Sequence, residues 1–142
     1  MSTKEHKIGE IVAEHHRREG ALLPILHAVQ AEFGCIDAES EALLAKGLNL
    51  SRADVHGVVS FYHDFHEAPE LRPEVQICRA EACKARGVEA MIEAATAAAG
   101  DRVKLTTVYC LGLCSSGPSA RVGDRLHARL DGPALAKIIE NA

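Results

Sequence analysis

Apolar residues recur at helical spacing through the first part of the chain, to about His66. In the segment 21–34 the apolar side chains lie three and four residues apart, which predicts a helix with one buried face. These positions are Leu22, Leu23, Ile25, Leu26, Val29 and Phe33. Gly34 follows the last of them and is placed to end the helix.

Two more helices are predicted in this part of the chain, each with a capping residue before its first turn. Asp37 is suited to cap a short helix that ends near Gly47, because its carboxylate can accept a backbone N–H of the first turn. Ser51 and Asp54 are three residues apart, which is close to a capping-box pattern. We therefore predict that residues 1–70 form a small helical bundle.

The stretch His66–Glu74 (HEAPELRPE) interrupts the helical pattern. It carries two prolines and several charges, which is typical of a linker. Beyond it, apolar positions alternate in some segments and recur at helical spacing in others. This change predicts a second domain over residues 74–142.

The elements predicted in the second domain follow the order β-α-β-β-β-α. A short strand (VQIC) precedes one helix that ends at Gly100, and the β-branched segment RVKLTTVY is the next strand. Gly123 and Asp124 predict a hairpin turn, and Asp131 and Pro133 mark the start of a last helix. This order is a thioredoxin-like plan. The predicted fold class is therefore α+β, with a small N-terminal helical bundle followed by a thioredoxin-like domain.

Composition excludes several classes of protein. The chain has 142 residues, 47% of them hydrophobic, and a net charge of −4. This acidic balance argues against a nucleic-acid surface, since phosphate binding needs clustered Lys and Arg. No apolar run approaches the ~20 residues of a membrane span, and the N-terminus lacks the apolar region of a secretory signal. We expect a cytoplasmic protein with no nucleic-acid partner and no membrane span.

Cysteines are the main chemical feature of the sequence. Disulfides are disfavoured in the cytoplasm, so five cysteines indicate metal ligands or reactive thiols. Cys78 ends the first predicted strand and Cys83 lies in the next helical turn, while Cys110 ends the second strand and Cys114 follows in the loop. Because the ends of parallel strands meet at one sheet edge, we expect these four thiols to lie together. Cys35 has no partner at useful spacing and is interpreted as a small buried hydrophobe.

Four thiolates can hold either zinc or an iron–sulfur cluster. Zinc knuckles usually place their ligands at C-x2-C or close to it, whereas the gaps here are C-x4-C and C-x3-C. A 2Fe-2S cluster takes two cysteines on each of two irons and tolerates wider, unequal gaps, so the spacing favours one such cluster. A zinc-stabilised interaction module and a thiol redox enzyme or sensor remain as alternatives, although the sequence has no C-x-x-C motif.

The cysteine segments VQICRAEAC and VYCLGLCSSGP resemble the thioredoxin-like 2Fe-2S subunits of NAD-linked oxidoreductases. This family includes the small flavin-module subunit of respiratory NADH:quinone oxidoreductase (complex I) and equivalent subunits of NAD-reducing hydrogenases. The helical segments LLPILHAVQAEFGCID and LNLSRADVHGVVSFYHDF are similar to the family's N-terminal bundle, so the resemblance covers nearly the whole chain. The sequence around the cysteines looks closest to that of the gamma subunits of NAD-dependent, molybdenum-containing formate dehydrogenases.

The resemblance implies a function for the four cysteines. It carries the cluster ligands over to Cys78, Cys83, Cys110 and Cys114, with one 2Fe-2S cluster as the cofactor. It also implies a larger partner subunit that binds FMN and NAD(H) and exchanges electrons with the cluster. A third subunit with the molybdenum cofactor would oxidise formate. The sequence shows no G-x-G-x-x-G motif and no P-loop lysine, so we expect the chain to be non-catalytic alone.

Two further expectations concern the surroundings of these segments. The aromatic residues Phe61, Tyr62 and Phe65 stand out in a chain with only 4% aromatics, and we expect core packing between the bundle and its neighbour, with a subunit interface as the alternative. Pro118 follows a loop and begins a strand, where thioredoxin-like folds often carry a cis-proline. A cis bond before Pro118 is therefore a hypothesis for the structure.

Overall fold

The computed structural model describes residues 2–142, which form two compact units. The first unit ends at Glu70 and the second begins at Leu71. Helices alone make up the first unit, whereas the second combines helices with a four-stranded sheet. Each unit has a separate apolar core.

The first unit is a bundle of four helices. They are α1 (Thr3–His15), α2 (Leu22–Phe33), α3 (Ala38–Leu48) and α4 (Arg52–Phe61). Their buried faces share one core, whose members are Ile8, Ile11, Ile25, Leu26, Val29, Ile36, Leu44, Ala45, Val55, Val59 and Phe65. The helical bundle expected from the apolar spacing is confirmed.

Residues named from the sequence set the ends of these helices. Gly34 takes a left-handed conformation (φ 79°) and ends α2, as predicted. Asp37 caps α3 by accepting the N–H of Ser40 at 2.9 Å. Ser51 and Asp54 complete a capping box at the start of α4.

The aromatic residues after α4 do not all enter the core. Phe65 is buried, but the Phe61 side chain is 73% exposed and Tyr62 is also exposed. Core packing is therefore wrong for Phe61 and Tyr62, whereas Phe65 packs within the core of the bundle itself. The reason is helical geometry, because Phe61 lies two residues after the buried Val59 and so points about 200° away from it around the helix axis.

The second unit alternates strands and helices in the predicted plan. Its elements are β1 (Glu74–Cys78), α5 (Glu81–Ala85), α6 (Glu89–Ala99), β2 (Lys104–Val108), a 3-10 turn (Cys114–Ser116), β3 (Ala120–Val122), β4 (Arg125–His127) and α7 (Gly132–Glu140). The strand order in the sheet is β2-β1-β3-β4. β1 is parallel to β2, and the other neighbours are antiparallel. This arrangement confirms the thioredoxin-like fold class.

The single helix predicted after β1 is instead the two helices α5 and α6. Gly87 lies between them with φ 94°, a conformation that glycine adopts without steric cost. The N–H of Val88 bonds to the carbonyl of Cys83 at 3.1 Å and closes the turn. The prediction was wrong here because the apolar spacing continues through Val88 and Met91 across the break.

The remaining local predictions are confirmed in the second unit. Gly123 and Asp124 connect the antiparallel strands β3 and β4. Asp131 caps α7 by accepting the N–H of Ala134 at 2.8 Å. The peptide bond before Pro118 is cis. Among residues 2–142, no helix combines the length and the apolar character needed to cross a membrane.

Candidate metal centre

Parallel pairing of β1 and β2 brings two cysteine-bearing loops to one edge of the sheet. Cys78 is the last residue of β1 and lies in register with Val108, the last residue of β2. Cys83 lies in α5, while Cys110 and Cys114 belong to the loop after β2, and α5 contacts the 3-10 turn of that loop. The structure thus brings together the four thiols that the sequence singled out.

Cys78 and Cys83 form the inner pair of the site. Each is only 2% exposed. Burial raises the pKa of the Cys78 thiol, and its hydrogen bond with Cys83 raises it further. The backbone N–H groups of Ala80 and Leu111 donate to the Cys78 sulfur and oppose this shift. Because Leu111 belongs to the second loop, its N–H links the two loops at the sulfur.

Cys110 and Cys114 form the outer pair, and both are exposed. Their Sγ atoms are 3.5 Å apart. The N–H of Gly112 donates to the Sγ of Cys110 at 3.3 Å, which lowers the pKa of Cys110, and the hydrogen bond with Cys114 adds to this effect. The pKa of Cys114 is raised mainly by Cys110, with a contribution from Cys83. The inner and outer pairs are therefore close enough to interact.

A short segment at the start of β3 packs against the inner pair. A Cβ at Gly117 would lie 3.0 Å from the Sγ of Cys83, so a larger residue there would require the cysteine side chain to shift. The φ of −70° at Gly117 is open to any residue. Ser119, two residues later, is buried, and its carbonyl accepts the N–H of Cys78 at 3.0 Å. Sequence reasoning did not find Ser119, whose only signal is its position after Pro118.

Arg79 also lies beside the site and was missed at the sequence level. The guanidinium of Arg79 donates to both carboxylate oxygens of Glu89, at 2.9 and 2.6 Å. The backbone N–H of Arg79 donates to the Val108 carbonyl at 2.9 Å. Such a bidentate pair fixes the direction of the guanidinium. The loop after Cys78 is thus held to both α6 and β2.

The remaining metal-ligating side chains lie elsewhere. Cys35 is buried in the first unit, as predicted, and is a free thiol. Among residues 2–142, three ligand atoms that all lie within 4.8 Å of one another occur in one group, Glu41, His56 and Glu67, whereas the thiols approach one another in pairs. The Nδ1 of His56 lies 3.0 Å from Oε1 of Glu41, so a hydrogen bond accounts for this group without a metal.

The donor set of the four cysteines fits an iron–sulfur cluster. Thiolates are the usual ligands of such clusters, and backbone N–H groups directed at sulfur stabilise the negative charge of the bound group. Here the N–H groups of Ala80, Leu111 and Gly112 point at cysteine sulfur atoms. Two buried and two exposed thiols would place a bound cluster at the surface with one side covered.

Comparison with known proteins identifies relatives over nearly the whole chain. The family described as thioredoxin-like [2Fe-2S] ferredoxin matches residues 8–142. A subunit of the NADH-quinone oxidoreductase of Rhizobium meliloti (strain 1021) is 30% identical, with 98% of this chain and 88% of the relative covered. The NADP-reducing hydrogenase subunit HndA of Solidesulfovibrio fructosivorans is 26% identical, with 87% and 77% covered.

A solved structure shares the fold. The crystal structure of NAD+-reducing [NiFe]-hydrogenase in the air-oxidized state aligns with 84% of this chain at a TM-score of 0.70 and 26% identity. The present chain spans only 22% of that hydrogenase chain. Because the family match extends through both the helical bundle and the cysteine-bearing unit, this chain belongs to the thioredoxin-like [2Fe-2S] ferredoxin family, which carries a 2Fe-2S cluster.

Proposed function

We propose that this chain is an electron-transfer subunit of an NAD-linked oxidoreductase and holds one 2Fe-2S cluster through Cys78, Cys83, Cys110 and Cys114. The observation that carries the proposal is the meeting of two thiol pairs at one edge of the sheet, one pair from β1 and α5 and the other from the loop after β2. The two pairs match the requirement of a 2Fe-2S cluster for two thiolates on each iron. When bound, such a cluster accepts and releases one electron.

The side chains around the site have distinct tasks in this proposal. The buried pair, Cys78 and Cys83, would hold one side of the cluster away from water. The exposed pair, Cys110 and Cys114, would hold the side that faces a partner. Tyr109 is also exposed and borders this side, so an approaching redox group meets little covering structure. Electrons would therefore enter and leave through the loop of the outer pair.

The electron partner in this proposal is an FMN group on a separate subunit that binds NAD(H). Support comes from the relatives, which are named as subunits of NADH-quinone oxidoreductase and of an NADP-reducing hydrogenase. This chain would not be catalytic by itself, since its sequence shows neither dinucleotide nor P-loop motifs.

For the host complex we propose a cytoplasmic NAD-dependent formate dehydrogenase with a larger, molybdenum-cofactor subunit. The segments CRAEACKARG and YCLGLCSSGPSARVG support this choice, through their resemblance to the gamma subunits of such enzymes. The named relatives support the two alternatives, NADH:quinone oxidoreductase and NAD-reducing hydrogenase.

Metal analysis of the anaerobically purified chain tests the cluster. We expect about two irons and two sulfides per chain, a brown colour and a rhombic EPR signal after reduction by dithionite. Serine in place of any one of Cys78, Cys83, Cys110 or Cys114 should abolish or sharply reduce the bound iron. A matched control is Cys35→Ala, which removes a thiol from the first unit and should leave the iron content unchanged.

Two results would contradict this assignment. One zinc in a colourless protein would indicate a zinc-stabilised interaction module. Metal-free protein with a reversible disulfide between two of the four cysteines would indicate a thiol redox protein instead.

Purification of the native complex through a tag on this chain tests the host. We expect a flavin-containing subunit and a molybdenum-containing subunit to co-purify, with formate-dependent reduction of NAD+. Co-purification of a hydrogenase subunit, or of membrane-bound quinone-reducing subunits, would reject the formate dehydrogenase assignment in favour of the corresponding alternative.

A further inference from the structure

A buried hydroxyl lies against one of the proposed ligands. Ser119 is 1% exposed, and its Oγ is 3.8 Å from the Sγ of Cys83. This separation is within the reach of a hydrogen bond to sulfur. A buried hydroxyl without a hydrogen-bond partner is costly, and the Sγ of Cys83 supplies such a partner to Ser119.

The backbone fixes the position of Ser119. The carbonyl of Ser119 accepts the N–H of Cys78 at 3.0 Å, so Ser119 contacts both members of the inner pair. On the preceding side, Gly117 packs so closely on Cys83 that a Cβ would lie 3.0 Å from its sulfur. On the following side, Ala120 pairs with Ile77 in the sheet. The backbone on both sides of Ser119 is therefore held beside the inner pair, which fixes the position of its Cβ.

The protonation state of the sulfur decides which atom donates. A cysteine that ligates iron is a thiolate, which has no proton and can only accept. The Ser119 hydroxyl must then be the donor in a protein that carries the cluster. A hydrogen bond to a ligand sulfur favours the more negative, reduced form of the cluster and so raises its reduction potential.

We propose that Ser119 is a positioning residue that donates a hydrogen bond to the Cys83 thiolate and raises the reduction potential of the cluster. This inference rests on the proposed function, because it requires Cys83 to be a ligand. It adds a residue that immediately precedes β3 to a site whose thiols come from the end of β1, from α5 and from the loop after β2.

An EPR-monitored redox titration of Ser119→Ala tests the proposal. Alanine fits where serine does and leaves the backbone bond to Cys78 in place. We expect two irons per chain and a retained EPR signal. The equilibrium constant for one-electron reduction should fall about threefold to tenfold, equivalent to about 28 to 59 mV. An unchanged potential with the cluster intact would overturn the proposal.

Two controls separate the hydrogen bond from packing. Ser115→Ala removes an exposed hydroxyl from the neighbouring loop and should leave the potential unchanged. Ser119→Thr and Ser119→Val have nearly the same shape, but only threonine keeps the hydroxyl. The threonine variant should have the higher potential, and equal potentials in this pair would also overturn the proposal. This pair gives the deciding comparison if Ser119→Ala loses its iron.

A second readout detects the proton itself. ENDOR spectroscopy of the reduced protein in H2O and D2O should show an exchangeable proton that is present in the wild type and absent from Ser119→Ala. The same signal in both proteins would assign the proton to a backbone N–H and count against Ser119. If the wild-type chain binds no iron, the proposed function itself fails. If the cluster is intact but its potential is the same in Ser119→Ala, only the role of Ser119 fails.

Discussion

At the scale of single residues, His56 shows how a buried carboxylate acts on an exposed group. The Glu41 carboxylate is buried between α3 and α4, and its Oε1 lies 3.0 Å from the Nδ1 of His56. The hydrogen bond with Glu41 raises the pKa of His56 above its usual 6.5, and the charges of Glu41 and Glu67 add to this. The protonated imidazole therefore pairs with a carboxylate that has little access to water.

This raised pKa predicts a pH-dependent contribution to stability. Because the folded state favours protonated His56, the contribution is complete below the unfolded pKa of 6.5 and is lost as the pH rises through the folded value. We expect the wild type to have a higher Tm than His56→Gln at about pH 5.5, and this advantage to disappear at about pH 8.5. Thermal unfolding at both pH values measures the difference.

The control for this prediction is His63→Gln, which replaces an exposed histidine outside the helices. Comparison with this variant at both pH values separates the effect of the pairing with Glu41 from a general effect of removing a histidine. An equal Tm difference for His56→Gln at both pH values would show that the pairing with Glu41 does not stabilise the fold.

At the scale of elements, the helix boundaries rest on bonds that span only a few residues. Asp37, Ser51 and Asp131 each accept a backbone N–H from three residues later in the chain. Local chemistry of this kind can be predicted from sequence, and these helix starts were. The break at Gly87 was missed because the apolar spacing continues across it, although a glycine that takes a positive φ (94°) is itself a local stop signal.

The Asp37 cap predicts a measurable cost at the start of α3. Its carboxylate accepts the N–H of Ser40 and also binds the Nζ of Lys4, at 2.6 and 2.7 Å. Asp37→Ala should lower the free energy of unfolding by about 0.5–2 kcal/mol. Lys4→Ala leaves the cap in place and should cost less, about 0–1 kcal/mol, because the ion pair is partly exposed. Denaturant unfolding of both variants gives the comparison.

The same carboxylate has a pH dependence of opposite sign to that of His56. The hydrogen bond from Lys4, followed by the one from Ser40, lowers the pKa of Asp37 to about 2. The contribution of Asp37 to stability is therefore present above the unfolded pKa of 3.8 and is lost as the pH falls through about 2.

For the comparison of the two variants, an equal loss of stability in Asp37→Ala and Lys4→Ala would mean that the ion pair, rather than the cap, is the stabilising interaction.

For the site, sequence reasoning located the thiols but not their environment. The meeting of Cys78 with Cys110 follows from parallel pairing of β1 and β2, which the order of elements predicts. The contacts of Gly117 and Ser119 depend on β3 pairing antiparallel with β1. No local pattern encodes that pairing. For the same reason, the contrast between a buried and an exposed thiol pair appears only in the structure.

At the scale of the whole molecule, the cysteines are distributed unequally between the two units. All four proposed ligands lie in the second unit, and the first unit contributes only Cys35, which is buried in a helical bundle. The chain between α4 and β1 has no helix or strand, and Leu71 within it is 93% exposed. We propose the same division as the sequence suggested, with domains at 1–70 and 74–142.

This division predicts the outcome of limited proteolysis. Early cleavage should fall between Ala68 and Leu71. The fragment that begins near Leu71 should keep its iron, because it contains a complete apolar core and all four of the proposed ligands. Mass spectrometry and iron analysis of the fragment check both points. A fragment that loses its cluster on release, when the intact chain retains it, would show that the helical bundle is needed to hold the site.

The contrast between the two thiol pairs also bears on how the proposed cofactor would be reached from solvent. Cys78 and Cys83 are covered on one side by the segment from Gly117 to Ser119, whereas Cys110 and Cys114 face solvent. In the proposed site, a chelator or an oxidant would therefore reach the side held by Cys110 and Cys114 before the side held by Cys78 and Cys83.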